Sequence, residues 1–222
     1  ELDLSAMMKR KEQVVEELTG QVKKLLEGNK IDIIRGTASL ETADRVSVKK
    51  KSSGDAVTLE TKNILLATGS APINVPGLKF DGKHIVSSTE ALSFDSVPEH
   101  LGIVGGGYIG LELGSVWRRL GSRVTVIEML PKIATTLDGQ VSRALDRILR
   151  QQGFDFRMKT KVSKAAVVGD KVEATLEADG KETLLTFERL LVSVGRRPLT
   201  VGLGLENLGV ETDSRTGHVL VN

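Results

Sequence analysis

Six residues near the middle of the chain, Gly105-Gly106-Gly107-Tyr108-Ile109-Gly110, fit the pattern G-x-G-x-x-G. Such a turn works through what it lacks. Gly105 permits the tight turn, Gly107 has no side chain to keep a pyrophosphate off the backbone, and Gly110 lets the following helix pack close to its strand. The helix N-terminus then offers free N–H groups and a partial positive charge to the phosphates. Glu128 lies 18 residues beyond Gly110, near the spacing at which a carboxylate accepts hydrogen bonds from ribose hydroxyls. A 2′-phosphate ~4 Å from that carboxylate would cost about 4 kcal/mol at an effective dielectric of ~20. Met129-Leu130-Pro131-Lys132 offers one Lys and no Arg pair to clamp such a phosphate. The turn therefore predicts a site for NAD rather than NADP.

Two more residues near the turn could act. Glu112 lies in the first turns of the same helix. It reads either as an active-site carboxylate beside the nicotinamide or as an acid that suits the helix dipole. Tyr108, the only tyrosine, sits at the mouth of the turn, where it would cover the nicotinamide pocket or pack in the core. Arg196-Arg197 before Pro198 follows an apolar strand, either for an electrostatic contact or as a solvated turn. His84, His100 and His218 are isolated, form no metal constellation and read as surface histidines. The chain has no cysteine, which excludes disulfides, thiol nucleophiles and a dithiol redox centre within these residues.

The elements that must position these residues are legible in the patterning. Leu101–Val104 reads as a strand, Tyr108–Leu120 as a helix and Arg123–Glu128 as the next strand, a βαβ unit. Asp138 or Gly139 begins an amphipathic helix to Gln151, with Val141, Leu145, Ile148 and Leu149 on one face. Strands are expected at Phe154–Met158, Lys171–Glu177, Lys181–Phe187 and Leu190–Val194. Upstream, Ser5 reads as the N-cap of a packed scaffold helix reaching about Glu27. Ile31–Ile34 and the apolar run Asn63–Ala67 read as strands, the latter buried on both faces. A hairpin joins Arg45–Lys50 to Ala56–Thr61. Ser87–Leu92 reads as a short capped helix, and a domain border falls near residues 72–76. The fold class is α/β, with a parallel central sheet and an antiparallel excursion in each part.

Composition sets outer bounds. The 222 residues carry a formal net charge of +2, which gives no basic face for nucleic acid. Aromatic residues are 3%, too few for base-stacking platforms. No apolar run approaches ~20 residues, which predicts no membrane-spanning helix. The chain opens on Glu1, and Val219–Asn222 reads as a strand without a partner, so an internal fragment of a longer chain is expected.

Three turns carry a family resemblance. Thr68-Gly69-Ser70-Ala71-Pro72 after an apolar run, Gly105 to Glu112, and Val194-Gly195-Arg196-Arg197-Pro198 resemble turns of the FAD- and NAD-linked flavoprotein disulfide reductases. Gly110-Leu111-Glu112-Leu113-Gly114-Ser115-Val116-Trp117, followed by Arg119-Leu120-Gly121, is most similar to their dihydrolipoamide dehydrogenase branch, and so are the first helix and the stretch Gly202 to Gly209. The resemblance covers essentially the whole chain. It implies a Rossmann-like NAD-binding domain over 73–198, part of an FAD-binding domain over 1–72, and a return toward that domain over 199–222. It implies FAD and NAD as cofactors, with Gly105, Gly106, Gly107, Tyr108, Ile109, Gly110, Glu128, Val162 and Gly195 at the NAD site. Gly36, Ala38, Thr68, Gly69 and Ser70 would contact FAD. Glu112 would pair with a lysine beside the flavin, and Tyr108 would gate the nicotinamide.

The implied reaction oxidises protein-bound dihydrolipoamide, and the implied partners are lipoyl domains of 2-oxo acid dehydrogenase complexes. A homodimer is expected in the parent, in the cytoplasm or the mitochondrial matrix, with no nucleic-acid or membrane partner. Four parts of the family pattern are expected outside these residues: a second G-x-G-x-x-G, the C-x-x-x-x-C pair, a C-terminal Gly-Asp flavin turn, and a dimerisation domain with a His–Glu base pair. Another NADH-linked flavoprotein, of the oxidase or peroxidase type, and an NAD-binding module without turnover are the alternatives.

Overall fold

A computed structural model of the chain describes residues 2–221. It divides into two units, one of residues up to Met8 with Pro72–Gly195, the other of Lys9–Ala71 with the residues from Arg196 on.

Helix α1 (Leu4–Gly28) starts one residue before the expected cap. The capping side chain is that of Asp3, whose Oδ1 accepts the Ala6 N–H at 2.9 Å; Ser5 lies inside the helix. No residue of α1 is buried, and Val15, Leu18, Val22 and Leu25 are 53–65% exposed. The apolar spacing is helical as read, but no element among the described residues covers that stripe. In the second unit, which takes α1 from Lys9 on, β1 (Gly36–Thr42), β2 (Arg45–Lys50) and β3 (Ala56–Glu60) form an antiparallel sheet in that order. Ile31–Ile34 and Asn63–Ala67 are not strands, and Leu65 is 91% exposed. A strand is stable only where a neighbour takes up its N–H and C=O groups, and none lies beside either run. The short strand β4 (Ser70–Pro72) pairs instead with β13 (Arg196–Pro198).

The first unit holds the expected βαβ core. After β5 (Ile85–Val86), the capping box of Ser87 and Glu90 starts α2 (Ser88–Ala91). Then come β6 (His100–Val104), α3 (Tyr108–Leu120), β7 (Arg123–Glu128), α4 (Gly139–Gln151) and β8 (Phe154–Met158). An antiparallel sheet of β9 (Lys161–Val168), β10 (Lys171–Ala178) and β11 (Lys181–Phe187) follows, and β12 (Arg189–Val192) returns to the central sheet. That sheet is parallel, ordered β5-β12-β6-β7-β8. Continuous apolar runs such as Leu190-Leu191-Val192 suit strands covered on both faces.

Two hydrophobic clusters provide that cover. One joins Leu101, Ile103, Val124 and Val126 to Leu111 and Trp117 of α3 and Leu149 of α4. The other joins Val104, Ile127 and Val192 to Val162, Val172, Leu176 and Phe187 of the antiparallel sheet. On α4 only part of the expected face turns inward: Leu149 is buried and Leu145 packs on the core, while Val141 and Ile148 are exposed. The terminal strand expected from Val219 is a single bridge, Thr212 to Val219, and Asn222 lies outside the described residues. No helix among the described residues is long and apolar enough to cross a membrane.

Candidate functional site

The sheet order contains a point where connections diverge. From β6 the chain runs through α3 to β7 on one side, while β12 lies on the other side of β6. Ligands of open parallel sheets bind outside the carboxyl ends of the strands at such a point. At that point lie the Gly105–Gly110 turn after β6 and Ser193–Gly195 after β12.

Each glycine of the turn has a distinct physical requirement. Gly105 has φ +104°, closed to ordinary side chains, and a Cβ there would sit 2.6 Å from the Ser193 carbonyl oxygen. Its N–H is donated to the Ile127 carbonyl at 2.9 Å, tying the turn to β7. At Gly110 a Cβ would lie 2.6 Å from the Gly105 carbonyl oxygen and 2.7 Å from the Ser193 hydroxyl, so only glycine lets α3 approach this closely. Gly107 is different. It N-caps α3 with no side-chain hydrogen bond, and a Cβ there would meet nothing within 4 Å. A 13-residue helix thus starts on an open, exposed glycine with its first N–H groups uncapped by any side chain.

Glu128 closes the site from β7. Its Oε2 accepts the Gly106 N–H at 2.7 Å and its Oε1 accepts the Leu130 N–H at 2.8 Å. Each carboxylate oxygen has a further lone pair free for a hydroxyl donor. The carboxylate is half-buried and fixed in place before any ligand arrives, which reduces the ordering cost of binding.

The remaining expected residues fall in different settings. Ile109 is partly buried, Tyr108 is 66% exposed and Glu112 is exposed on α3. Tyr108 therefore does not pack in the core. Val162 is 5% exposed within the second cluster, and Gly195, at φ +136°, accepts the Ile73 N–H at 3.2 Å.

In the other unit, Gly36 and Ala38 sit in β1 opposite Lys50 and Val48. A Cβ at Gly36 would collide with the Lys49 carbonyl, so sheet crowding alone explains that glycine. The Thr68 hydroxyl is donated to the Leu199 carbonyl at 2.8 Å, and Arg196 Nε donates to Ser70 Oγ at 2.8 Å. Gly69, at φ +73°, keeps an open face.

His100 departs from the surface reading. Its ring packs against Phe187, with centroids 4.7 Å apart, and Nε2 lies 3.0 Å from Thr125 Oγ1. Arg123 donates to Nδ1 at 2.5 Å. Burial first, and the Arg123 guanidinium second, push its pKa down to about 4. Among the described residues no group of three or more His, Asp or Glu could hold a metal ion.

Three positioning residues escaped the sequence reading. Ser193 donates to the Val104 carbonyl at 3.3 Å, behind the turn. A Cβ at Gly114 would lie 2.7 Å from Ile103 Cδ1, and its spacing of four from Gly110 was a usable signal of a glycine face. Ala134, whose N–H reaches the Gly106 carbonyl at 2.8 Å, left no signal in the sequence.

The sequence profile of the family described as pyridine nucleotide-disulphide oxidoreductase matches residues 3–222. The chain belongs to this family. It is 44% identical over 216 residues to dihydrolipoyl dehydrogenase 3 of Pseudomonas putida, covering 96% of this chain and 46% of that protein. It is 42% identical over 224 residues to the mitochondrial dihydrolipoyl dehydrogenase of Pisum sativum, covering 100% of this chain and 44% of that protein. The chain thus spans less than half the length of these relatives. The HOCl-induced flavoprotein disulfide reductase RclA of Escherichia coli superposes with a TM-score of 0.85 at 28% identity, covering 100% of this chain and 49% of that one.

The family uses FAD and NAD. The residues of the Gly105–Gly110 turn fit a dinucleotide: an open glycine at an uncapped helix start, with a preorganised carboxylate across from it. The expected FAD residues fit less well, because the Thr68 hydroxyl already donates to the Leu199 carbonyl, Ser70 Oγ already accepts from Arg196, and Gly36 is taken up by sheet packing.

Proposed function

We infer that this chain is the NAD-binding part, with a portion of the FAD-binding part, of a dihydrolipoyl dehydrogenase. The observation that carries the NAD reading is the Glu128 carboxylate held 2.7 Å from the Gly106 amide, at the end of the strand next to the open helix start. The same carboxylate would repel a 2′-phosphate, which favours NAD over NADP. Residues 73–198 form the NAD domain in this reading, and 1–72 with 199–222 belong to the FAD domain. Gly105 to Gly110 would hold the pyrophosphate, Glu128 the adenosine ribose, and Val162 and Gly195 would line the route to the nicotinamide. Tyr108, exposed at the mouth of the turn, would cover that ring, and Glu112 would face the flavin side. Any contribution of this chain to FAD contact would come from Gly36, Ala38, Thr68, Gly69 and Ser70, although their side chains and packing are partly taken up within the chain.

In the parent, protein-bound dihydrolipoamide would give up two electrons and two protons from its thiols as the lipoyl disulfide closes. The electrons would reach NAD+ as hydride by way of FAD, with one proton released. The substrate would be presented by lipoyl domains of 2-oxo acid dehydrogenase complexes, to a homodimer in the cytoplasm or the mitochondrial matrix. Identity above 40% to dihydrolipoyl dehydrogenases supports this over an oxidase or peroxidase. With no cysteine, these 222 residues alone would bind dinucleotide without dithiol exchange. The test is dihydrolipoamide-dependent NADH formation by the full-length parent. Rapid NADH consumption with oxygen or peroxide, and none of that activity, would overturn the assignment.

A further inference from the structure

The turn after Glu128 is built around Gly106 in a way that the dinucleotide motif does not require. The Gly106 N–H goes to Glu128 Oε2, and its carbonyl accepts the Ala134 N–H at 2.8 Å. A Cβ at Gly106 would meet both Glu128 Oε2 and Ile133 Cγ2 at 3.2 Å, so Ile133 and Glu128 enclose this one residue together. Ile133 is 1% exposed and Ala134 6%, inside a loop whose neighbours Lys132 and Thr135 are exposed. Ala134 has φ +45°, a left-handed conformation that a residue with a Cβ adopts only when its surroundings hold it there.

What holds it is α4. Ser142, 1% exposed in the second turn, donates its hydroxyl to the Ile133 carbonyl at 2.6 Å. Its own N–H is donated to the carbonyl of Asp138, the N-cap, whose Oδ1 accepts the Gln140 N–H at 2.7 Å. The Leu137 N–H closes on the Ala134 carbonyl at 2.9 Å. On the other side the Thr160 N–H is donated to the Glu128 carbonyl at 3.0 Å. A continuous hydrogen-bonded path therefore runs from α4 through Ile133 and Ala134 to Gly106 and the Glu128 carboxylate.

We propose that Ser142 is a positioning residue for dinucleotide selection: through the Ile133–Ala134 turn it fixes Gly106, and through Gly106 the orientation of Glu128. Ser142 touches no ligand, because its hydroxyl is committed to Ile133. The proposal deepens, and rests on, the reading of this turn as an NAD site. Loss of the Ser142 hydroxyl leaves a buried carbonyl unpaired and frees the left-handed turn to relax, and the Glu128 carboxylate loses its fixed partner.

The test has a ligand-free arm and a ligand arm, each on Ser142→Ala and on Leu149→Ala. Leu149→Ala is a cavity control in the core shared with Ile133 and Ala134, which lowers stability without removing any hydrogen bond of the path. In amide hydrogen exchange without ligand, Ser142→Ala should lose about tenfold protection at Gly106 and Ala134 relative to the β6 amides. Leu149→Ala should lower protection of the turn and of β6 together. In calorimetry with NAD+ and NADP+, Ser142→Ala should weaken NAD+ and narrow the ratio between the two cofactors by about fivefold to tenfold. Leu149→Ala should keep the ratio. Unchanged relative protection at Gly106, or a common weakening of both cofactors, would overturn the positioning role. A native chain that binds neither cofactor, with the exchange result as expected, would overturn the NAD reading and leave the brace standing.

Discussion

His100 should make the βαβ unit lose stability in mild acid, well before its carboxylates are protonated. The ring is clamped from both sides. Arg123 can only donate, so Nδ1 must accept, and the proton of the neutral ring sits on Nε2, facing Thr125 Oγ1. A second proton on Nδ1 would confront the guanidinium head-on. The Thr186 backbone, Asp155 and Glu99 favour that proton, but burial and Arg123 outweigh them, and the pKa falls from 6.5 to about 4. The folded state therefore resists a proton that the unfolded chain accepts at about 6.5. Stability from this residue is complete above about pH 6.5 and falls as the pH drops toward 4, because the unfolded state binds more protons in that window. For a fully enclosed ring the difference would be about 3 kcal/mol. The ring is only part-buried, so solvent screening reduces the expected loss to about 1–2 kcal/mol. The assay is urea unfolding of the native chain and His100→Gln from pH 7.5 to 4, with NMR titration of the His100 ring. The native chain should lose about 1–2 kcal/mol more than the variant over this range. A ring midpoint near 6.5, or superimposable pH curves, would refute the reasoning.

Three further outcomes follow from the geometry. Gly110→Ala places a Cβ 2.6–2.8 Å from Gly105, Ser193 and Ile103, so it should cost about 1–3 kcal/mol of stability in thermal unfolding and abolish NAD binding in calorimetry. This chain alone should bind FAD weakly or not at all, because its expected contacts are limited to residues 36–38 and 68–70 and the Thr68 hydroxyl already donates to Leu199; purification with stoichiometric yellow flavin would contradict this. Glu112→Gln in the full-length parent should lower the limiting rate of flavin reduction by NADH in stopped flow, with little change in half-saturation. The opposite pattern would make Glu112 a binding or capping residue.

What could be read from the sequence depended on where the partners of each segment lie. Leu101–Val104, Arg123–Glu128 and Phe154–Met158 stand beside one another in the parallel sheet, and their apolar or alternating patterns announced strands that formed. Asn63–Ala67 carries an equally apolar run, yet without a neighbour it stays irregular and exposed. Pattern alone reports capacity for a strand, and pairing decides the outcome.

The same distinction holds at the site. The glycines and Glu128 announce themselves because their chemistry depends on residue type and spacing. Ser142 and Ala134 act through one hydroxyl and one backbone N–H brought together by the fold, and a serine in a helix or an alanine in a loop carries no such mark. His100 looked like any isolated histidine because Arg123, Thr125 and Phe187 reach it only through strand register and sheet packing.

The central claim is that the Gly105–Gly110 turn and Glu128 form an NAD-selective site. Its most direct test is isothermal titration of this chain with NAD+ and NADP+, before and after Glu128→Ala. A clear preference for NAD+ is expected in the native chain. In the variant, NAD+ should weaken by about 1–3 kcal/mol, the worth of one or two hydrogen bonds, and NADP+ should bind no worse than before. Equal affinity for the two cofactors in the native chain, or an unchanged preference after removal of the carboxylate, would contradict it.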